Sequence, residues 1–537
     1  MLFSSLIFLF VFLPIVLILY HVVCGHSILA KNILLLFASL FFYAWGEPKF
    51  VLIMIGSIIF NYSFGQMIHR CSKRKMASIL LLISIIFNLG VLFIFKYLNF
   101  TVDNLNTIFH DLIPPTNITL PIGISFFTFQ AMSYVIDVYR GTVKVQKNLF
   151  NLALYISFFP QLIAGPIVRY STIEEQISHR TVSCDDFAEG VRRFLIGISK
   201  KVILANNFAL IADQAFNSID SNQISVAFAW LGSIAYTLQI FFDFSAYSDM
   251  AIGLGRMFGF KFLENFNYPY ISASVSEFWR RWHISLGMWF RDYVYIPLGG
   301  SRVKNTGILV RNLFVVWLLT GLWHGANWTF IIWGLLYFVL ITFEKIYDMP
   351  GRLKSTGMKI LYGVFTFFSV NLGWVLFRAE NISQAGQYLA TMFGLTKNCM
   401  GYDNTFVQYI GEYWILLLIG AIYSTGFFKF LRVKMNESRT LDLCAECTGV
   451  IVYNLLFIVS VSYLVMGAYN PFILIFKRRL NETKNDNFKN SFSGKHNIPF
   501  DYRRDFYGKL LELLEFSKTR NKSNHKSRGP GESFREQ

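Results

Sequence analysis

The feature that most constrains this chain is a run of apolar residues without a single charge, Leu2 to Tyr20, followed by many more of the same kind. A helix of about 20 such residues, rising 1.5 Å per residue, crosses a hydrocarbon core roughly 30 Å thick. In that medium a backbone satisfies its own hydrogen bonds only as a helix or a closed barrel. Further runs extend over Asn32 to Trp45, Phe50 to Ile68, Met76 to Phe95, Leu149 to Ala164, Val226 to Phe242, Leu309 to Trp323, Trp328 to Phe343, Ile360 to Phe377, Trp414 to Phe430 and Val450 to Met466. Only 15% of the 537 residues are charged, against about 25% in soluble domains, so lipid and not water must cover most of the outside. Fifty-seven Phe and 11 Trp against six Cys exclude a disulfide scaffold. The expectation is an all-α polytopic membrane protein.

Forty-nine Lys and Arg against 32 Asp and Glu leave a net charge of +17. No nucleic-acid motif accompanies that excess, and basic residues gather in the cytoplasmic loops of membrane proteins, facing anionic headgroups. The partner read from charge is therefore membrane lipid and not nucleic acid. Arg70, Lys73, Arg74 and Lys75 form the densest early basic loop and follow the third run, which predicts a cytoplasmic loop there and an N-terminus outside. Leu2 to Tyr20 reads as a span and not a signal peptide, because no positive stretch precedes it. Pro121 to Tyr139 and Glu277 to Pro297 mix aromatics with Gly, Pro and charges, as re-entrant or interfacial helices do. From Lys477 onward the chain has 15 Lys and Arg against 8 Asp and Glu and no run of spanning length. Residues 1–476 thus read as the membrane domain, and 477–537 as a basic, partly disordered, cytoplasmic tail.

Polar groups inside membrane segments are costly, and function is their default explanation. Gln239, Asp243 and Tyr247 are spaced four apart on one helical face, which predicts that this face points inward; Asp249 lies elsewhere, with Arg256 seven residues beyond it. Anchoring of Asp243 and Asp249 by arginines is the structural alternative to lining a substrate path. In Glu277-Phe-Trp-Arg280-Arg281-Trp282-His283, Glu277 and Arg281 are spaced to pair, and Trp279, Trp282 and Trp289 suit an interfacial belt. Arg280, Arg281 and Arg291 are candidates to receive the phosphates of an anionic donor. Most specific is Gly321-Leu-Trp323-His324-Gly325-Ala-Asn327-Trp328, at the junction of two apolar runs. A neutral imidazole accepts protons, and flanking glycines leave room for a substrate, so His324 is a candidate general base. A satisfied core histidine or a cofactor contact are the alternatives. Cys444-Ala-Glu-Cys447 stands without a second pair, so no metal site is read from it. No serine-hydrolase elbow, phosphate-binding loop or HExxH is present.

Four motifs in order are similar to those of the membrane-bound O-acyltransferase (MBOAT) superfamily, in its bacterial alginate O-acetyltransferase-like branch. They are Phe158-Phe-Pro-Gln-Leu-Ile-Ala-Gly-Pro166 with Arg169-Tyr170, Phe241-Phe-Asp243-Phe-Ser-Ala-Tyr247-Ser-Asp249, Phe278-Trp-Arg-Arg-Trp-His283 and Trp323-His324-Gly-Ala-Asn-Trp328. Supporting matches run from Phe42-Tyr-Ala-Trp45 through Pro121 to Phe127 and Trp374 to Arg378 as far as Tyr469-Asn-Pro-Phe472.

The resemblance implies a ring of about eleven transmembrane helices around re-entrant helices and a central funnel, in a bacterial cell membrane. It implies acyl transfer with His324 as the essential residue and His283 as a second. The donor would be acetyl-CoA docked from the cytoplasm on Arg280, Arg281 and Arg291, with no bound cofactor or metal. The acceptor would be an extracytoplasmic glycan or an acetyl-transfer partner protein, and the path would be lined by Trp323, Asn327, Gln239, Asp243, Tyr247 and Asp249. Asn327 or His283 would donate to the developing oxyanion. The rival within the superfamily is D-alanyl transfer to teichoic acid from a carrier protein; from another class, a polysaccharide exporter would explain a polar cavity without chemistry.

Overall fold

The computed structural model describes residues 1–110, 112–219, 224–396, 401 and 403–467; the tail expected at 477–537 and the Tyr469-Asn-Pro-Phe472 motif lie outside the described residues. The helices used below are, in chain order, α1 (Phe8–Val23), α2 (Ile28–Gly46), α3 (Val51–Arg70), α4 (Arg74–Lys96), α5 (Leu98–Phe109), α6 (Ile124–Arg140) and α7 (Leu149–Ser157). They continue as α8 (Cys184–Ser218), α9 (Val226–Met257), α10 (Val275–Arg281), α11 (Ile284–Phe290), α12 (Thr306–His324), α13 (Trp328–Ile346), α14 (Thr356–Arg378), α15 (Asn404–Ser424) and α16 (Arg439–Val465). Among the described residues ten helices, α2 to α4, α8, α9 and α12 to α16, are long and apolar enough to cross a membrane.

Most of these starts are dictated locally. Ser27, Ser183, Ser225, Asn305, Asn327, Ser355 and Asp403 each precede a helix and accept a hydrogen bond from a backbone N–H of its first turn, supplying a partner that the helix itself cannot.

Two of the eleven apolar runs behave differently from expectation. Leu149 to Ala164 is not a span: the backbone breaks at Phe158, Pro160 sits in the first turn of a new helix at Phe159–Leu162, and residues 152–164 are buried. A fully buried core segment and a lipid-facing one have the same uninterrupted apolar signature. The N-terminal run, as α1, is shorter than the ten spanning helices. Conversely α8, 35 residues long, escaped notice because Lys200, Lys201, Asn206, Asn207 and Asp213 interrupt its apolar pattern.

Burial shows where the centre lies. In α9, 27 of 32 residues are buried, whereas in α16 only Ser460 is. The neighbour α8 runs antiparallel to α9 at near-backbone contact: a Cβ on Gly190 would stand 2.7 Å from the Gly253 carbonyl oxygen, and one on Gly197 would stand 2.8 Å from that of Ala246. Small residues permit such approach where no hydrophobic force draws helices together in lipid.

The segments expected to be re-entrant are short, bent and packed inside. Gly123, at φ +76°, opens α6, and a Cβ there would stand 2.8 Å from the Leu162 carbonyl oxygen. Helix α10 has only seven residues but is pinned from three sides. Ser274 caps Glu277 N–H, the Glu277 carboxylate accepts from Ala273 N–H, and buried Glu344 of α13 accepts from Val275 and Ser276 N–H at 2.7 Å each. The predicted Glu277–Arg281 pair forms at 2.6 Å. By contrast, Trp279, Trp282 and Trp289 do not form an interfacial belt. Trp282 and Trp289 are buried, and Trp279 packs edge-on against Trp317, Trp333 and Tyr337, because these helices lie within the bundle and not on its rim.

Candidate active site

His283 occupies the break between α10 and α11 with φ 44° and ψ 54°, a left-handed conformation that non-glycine residues adopt at a cost of order 1–3 kcal/mol. Its ring is buried, with Nδ1 3.3 Å from the Asn265 side-chain oxygen. Ser285 N–H and Oγ–H donate to that same oxygen at 3.0 and 2.9 Å. A backbone N–H can only donate, so the Asn265 atom is fixed as an acceptor and His283 Nδ1 carries the proton. The lone pair then lies on Nε2, which is buried without a partner. This arrangement disfavours His283 as an oxyanion donor and suits it as an acceptor.

His324 ends α12, and the hairpin Gly325-Ala326-Asn327 leads into α13. The residue as a whole is half-buried. Its ring meets Trp323, Trp333 and Phe377 edge-on, with centroids 5.0, 4.9 and 5.1 Å away, and its Nδ1 is a buried nitrogen without a partner. The flanking glycines do not leave space for a substrate, as the sequence suggested. A Cβ on Gly325 would stand 2.3 Å from the Phe330 ring and one on Gly321 2.5 Å from the Phe330 carbonyl oxygen, so both serve the close crossing of α12 on α13.

The two histidines are neighbours. Trp323 lies between them, its centroid 6.0 Å from His283 and 5.0 Å from His324. Lys96, which donates to the Trp323 carbonyl, adjoins His324 as well. Around this junction the indole nitrogens of Trp323 and Trp333 and the amide nitrogen of Asn265 are also buried without a partner among the described residues. Buried polar atoms are normally paired, so a cluster of unpaired donors and acceptors marks a place built for a polar guest.

Aromatic side chains continue from this junction along α6 and α11. Phe126, Phe129, Leu286, Trp289 and Trp323 belong to an apolar cluster separate from the main core, with Phe129 stacked on Trp289 at 3.8 Å. At its far end Tyr293 lies between the guanidinium groups of Arg140 and Arg169, 5.2 and 5.3 Å from its centroid. Asp292 accepts from Arg169 at 2.7 Å and from Arg291 at 2.6 Å. Burial alone would raise the Asp292 carboxyl, but these two arginines hold it below the ordinary carboxylate value. Arg74 lies over Tyr139, 5.6 Å from its centroid, so this end adjoins the basic α3–α4 junction.

The other expected residues have surroundings of their own. Gln239, Asp243 and Tyr247 are buried as predicted, but Asp243 pairs with Lys201 at 2.7 Å and Asp249 with Arg193 and Lys200 at 2.7 and 2.6 Å. Their partners include lysines as well as an arginine, and Arg256 reaches Glu189 at 4.0 Å instead of Asp249. Phe244 of α9 meets the site, 4.6 Å from His283. The Asn327 amide caps Thr329 N–H at 2.8 Å and donates to the Glu380 carbonyl at 3.0 Å, a holding role for the hairpin. Arg280 and Arg291 are exposed, whereas Arg281 is held by Glu277. Sequence reasoning missed Lys96, Asn265, Ser285, Arg140, Arg169 and Trp333.

A family model described as membrane-bound O-acyltransferase matches residues 143–382. The protein named "Probable alginate O-acetylase" of Azotobacter vinelandii is 48% identical over 398 residues, covering 73% of this chain and 78% of that protein. The one of the same name in Pseudomonas putida is 42% identical over 496 residues, covering 88% and 99%. A peptidoglycan O-acetyltransferase of Helicobacter pylori is 39% identical over 428 residues, covering 74% and 80%.

Proposed function

The chain belongs to the membrane-bound O-acyltransferase family, and from that premise we propose that it transfers an acetyl group from cytoplasmic acetyl-CoA for the O-acetylation of an extracytoplasmic glycan. The observation that carries this reading is the pair of imidazoles at the α10–α11 break and the α12 terminus, each with a buried nitrogen that nothing among the described residues satisfies. An acceptor hydroxyl between them attacks the thioester carbonyl carbon while His324 takes the hydroxyl proton. The carbonyl electron pair moves to oxygen, returns to form the ester and expels the CoA thiolate, which recovers the proton from His324. His283, with its lone pair on Nε2, is suited to orient the acceptor hydroxyl.

The arginine cluster supports a donor side. CoA phosphates require cations, and Arg140, Arg169 and Arg291 gather at one end of the aromatic path whose other end is the histidine pair. The fourteen steps of α6 from Phe126 to Arg140 rise about 21 Å, a length suited to an extended pantetheine arm carrying only the acyl group inward. Proximity of Arg74 to this cluster supports a cytoplasmic placement, given the basic junction of α3 and α4, and with it a bacterial cell membrane location with the N-terminus outside. The glycans in the relatives' names support a polysaccharide acceptor, reached directly or through a partner protein.

The test supplies radiolabelled acetyl-CoA and an alginate oligosaccharide to membranes carrying the protein and measures acetyl transfer and free CoA. His324→Ala is expected to abolish both at unchanged membrane insertion. Undiminished transfer by that variant would remove His324 from the chemistry, and no transfer by the wild-type protein would overturn the reading itself.

A further inference from the structure

Lys96 ends α4 half-buried within the bundle, and its surroundings are unusual for an ammonium there. Nζ donates to the main-chain carbonyl of Trp323 and, at 3.0 Å, to Ser125 Oγ, and it stands 5.5 Å from the Trp323 ring centroid. Among the described residues no carboxylate pairs with it. A buried charge normally carries a matching counter-charge, because its desolvation otherwise costs several kcal/mol. Every other partner named here is neutral, and one of them is the carbonyl immediately before His324.

The reason lies in how α12 ends. The last carbonyls of a helix have no intrahelical donor, and helices commonly solve this with a left-handed residue whose following N–H groups fold back. Here Gly325 is extended, at φ −177° and ψ 157°, and among the described residues no N–H beyond it returns to α12. Two side chains from a distant part of the chain take that place. Lys96 holds the Trp323 carbonyl, and the hydroxyl of the next residue, Tyr97, donates to the Leu322 carbonyl at 2.6 Å. A cation at a helix C-terminus is also favoured by the aligned peptide dipoles. Gly325 is thereby free to leave at the angle that packs it on Phe330, and the backbone carrying His324 is held at two consecutive carbonyls.

We propose that Lys96, assisted by Tyr97, is a positioning residue for acyl transfer, clamping the end of α12 so that the His324 imidazole keeps a fixed place relative to the acceptor hydroxyl and the acyl carbon. The inference rests on the proposed role of His324. It assigns Lys96 no contact with substrate, so its loss acts on turnover and leaves donor binding, which the arginines supply, intact. Displacement of a reacting group by about 1 Å costs of order 100-fold.

The test measures kcat and the KM for acetyl-CoA with the full chain in membranes, using the alginate oligosaccharide as acceptor, for Lys96→Met, Lys96→Arg, Tyr97→Phe and His324→Ala. The expected result is a fall in kcat of about 10- to 100-fold for Lys96→Met with KM changed less than about twofold. Lys96→Arg, which keeps the charge and the donors, should recover most of that loss, and Tyr97→Phe should show a smaller fall in kcat alone. If Lys96→Met does not insert, Tyr97→Phe decides: reduced kcat at constant KM supports the clamp, and unchanged kcat overturns it. Wild-type turnover in Lys96→Met overturns it, as does a loss that arginine does not relieve or that merely tracks the amount of folded protein. An inactive His324→Ala beside a fully active Lys96→Met would reject the clamp alone, whereas an active His324→Ala would reject the reading on which it rests.

Discussion

Two buried polar regions sit within one bundle and treat their charges in opposite ways. Between α8 and α9, Arg193, Lys200 and Lys201 meet Asp243 and Asp249 at 2.6 to 2.7 Å, and Arg193 also reaches the exposed Glu264 beyond α9 at 2.6 Å, three cations against three carboxylates. At the junction of α4, α10, α11, α12 and α13, two imidazoles and two indoles leave nitrogens unpaired among the described residues, and a lysine lacks a counter-charge there. Both regions would catch the eye in a membrane sequence, where any ionisable residue invites a functional reading. The charge-paired network fixes two long helices in register, although Gln239, Ser245 and Tyr247 of α9 also hold buried polar atoms without a hydrogen-bond partner among the described residues, and the junction without paired charges keeps polarity in reserve for a ligand.

The comparison fails most visibly if the reserve is idle. His324→Ala should lower acetyl transfer by about 10²- to 10⁴-fold, the usual contribution of a general base, with unfolding temperature and membrane level unchanged. The converse substitution tests the other region. Asp249→Ala strands Lys200 and leaves Arg193 with Glu264 alone, and removal of one partner from a buried pair costs about 3–5 kcal/mol. Thermal unfolding in detergent should show that loss, while turnover per folded molecule stays at the wild-type level. A stable Asp249→Ala protein that cannot transfer acetyl groups would move α9 into the reactive region.

Much of this contrast was legible in the sequence, for reasons that differ by residue. The spanning helices announced themselves wherever the apolar run was uninterrupted, and His283 and His324 were visible as imidazoles beside or within such runs. Helix α8 was hidden because Lys200, Lys201 and Asp213, whose charges other helices neutralise, look like a loop until their partners are known. Lys96 was hidden for the opposite reason. A lysine closing an apolar run reads as the membrane boundary, and only the fold shows that its partner lies 227 residues away. Asn265 and Glu344 act likewise through long-range contacts with short segments, which no periodicity records. The glycines beside His324 were seen, but their purpose was misread, since only the packed pair α12–α13 shows which neighbour a Cβ would strike.

His283 offers a way to separate fold from function at a single position. Its φ of 44° strains any residue except glycine, so His283→Gly removes the ring yet relieves the backbone. Stability should hold or rise, and transfer should fall by about 10- to 100-fold. A drop in both would mean that the ring is a packing element and that its unpaired Nε2 has no reactive meaning.

The smallest expected effect concerns Asn327, which lies in the His324 hairpin and yet is fully occupied in holding it. Its side-chain oxygen caps α13 and its amide nitrogen reaches the Glu380 carbonyl, so both ends already have partners. Loss of such a cap costs about 1 kcal/mol. Asn327→Ala should therefore lower the unfolding temperature slightly and leave turnover within about twofold of wild type, because a 1 kcal/mol change in anchoring spreads over a hairpin that Lys96 and Tyr97 hold from the other side. Asn327→Asp keeps the oxygen that caps Thr329 but loses the donor to Glu380, and should fall between alanine and wild type in stability. A loss of turnover beyond about tenfold in either variant, at constant KM and unfolding temperature, would show that the amide turns toward the reacting oxygen during transfer. The border between the two regions would then run through the hairpin itself, one residue pair beyond the imidazole.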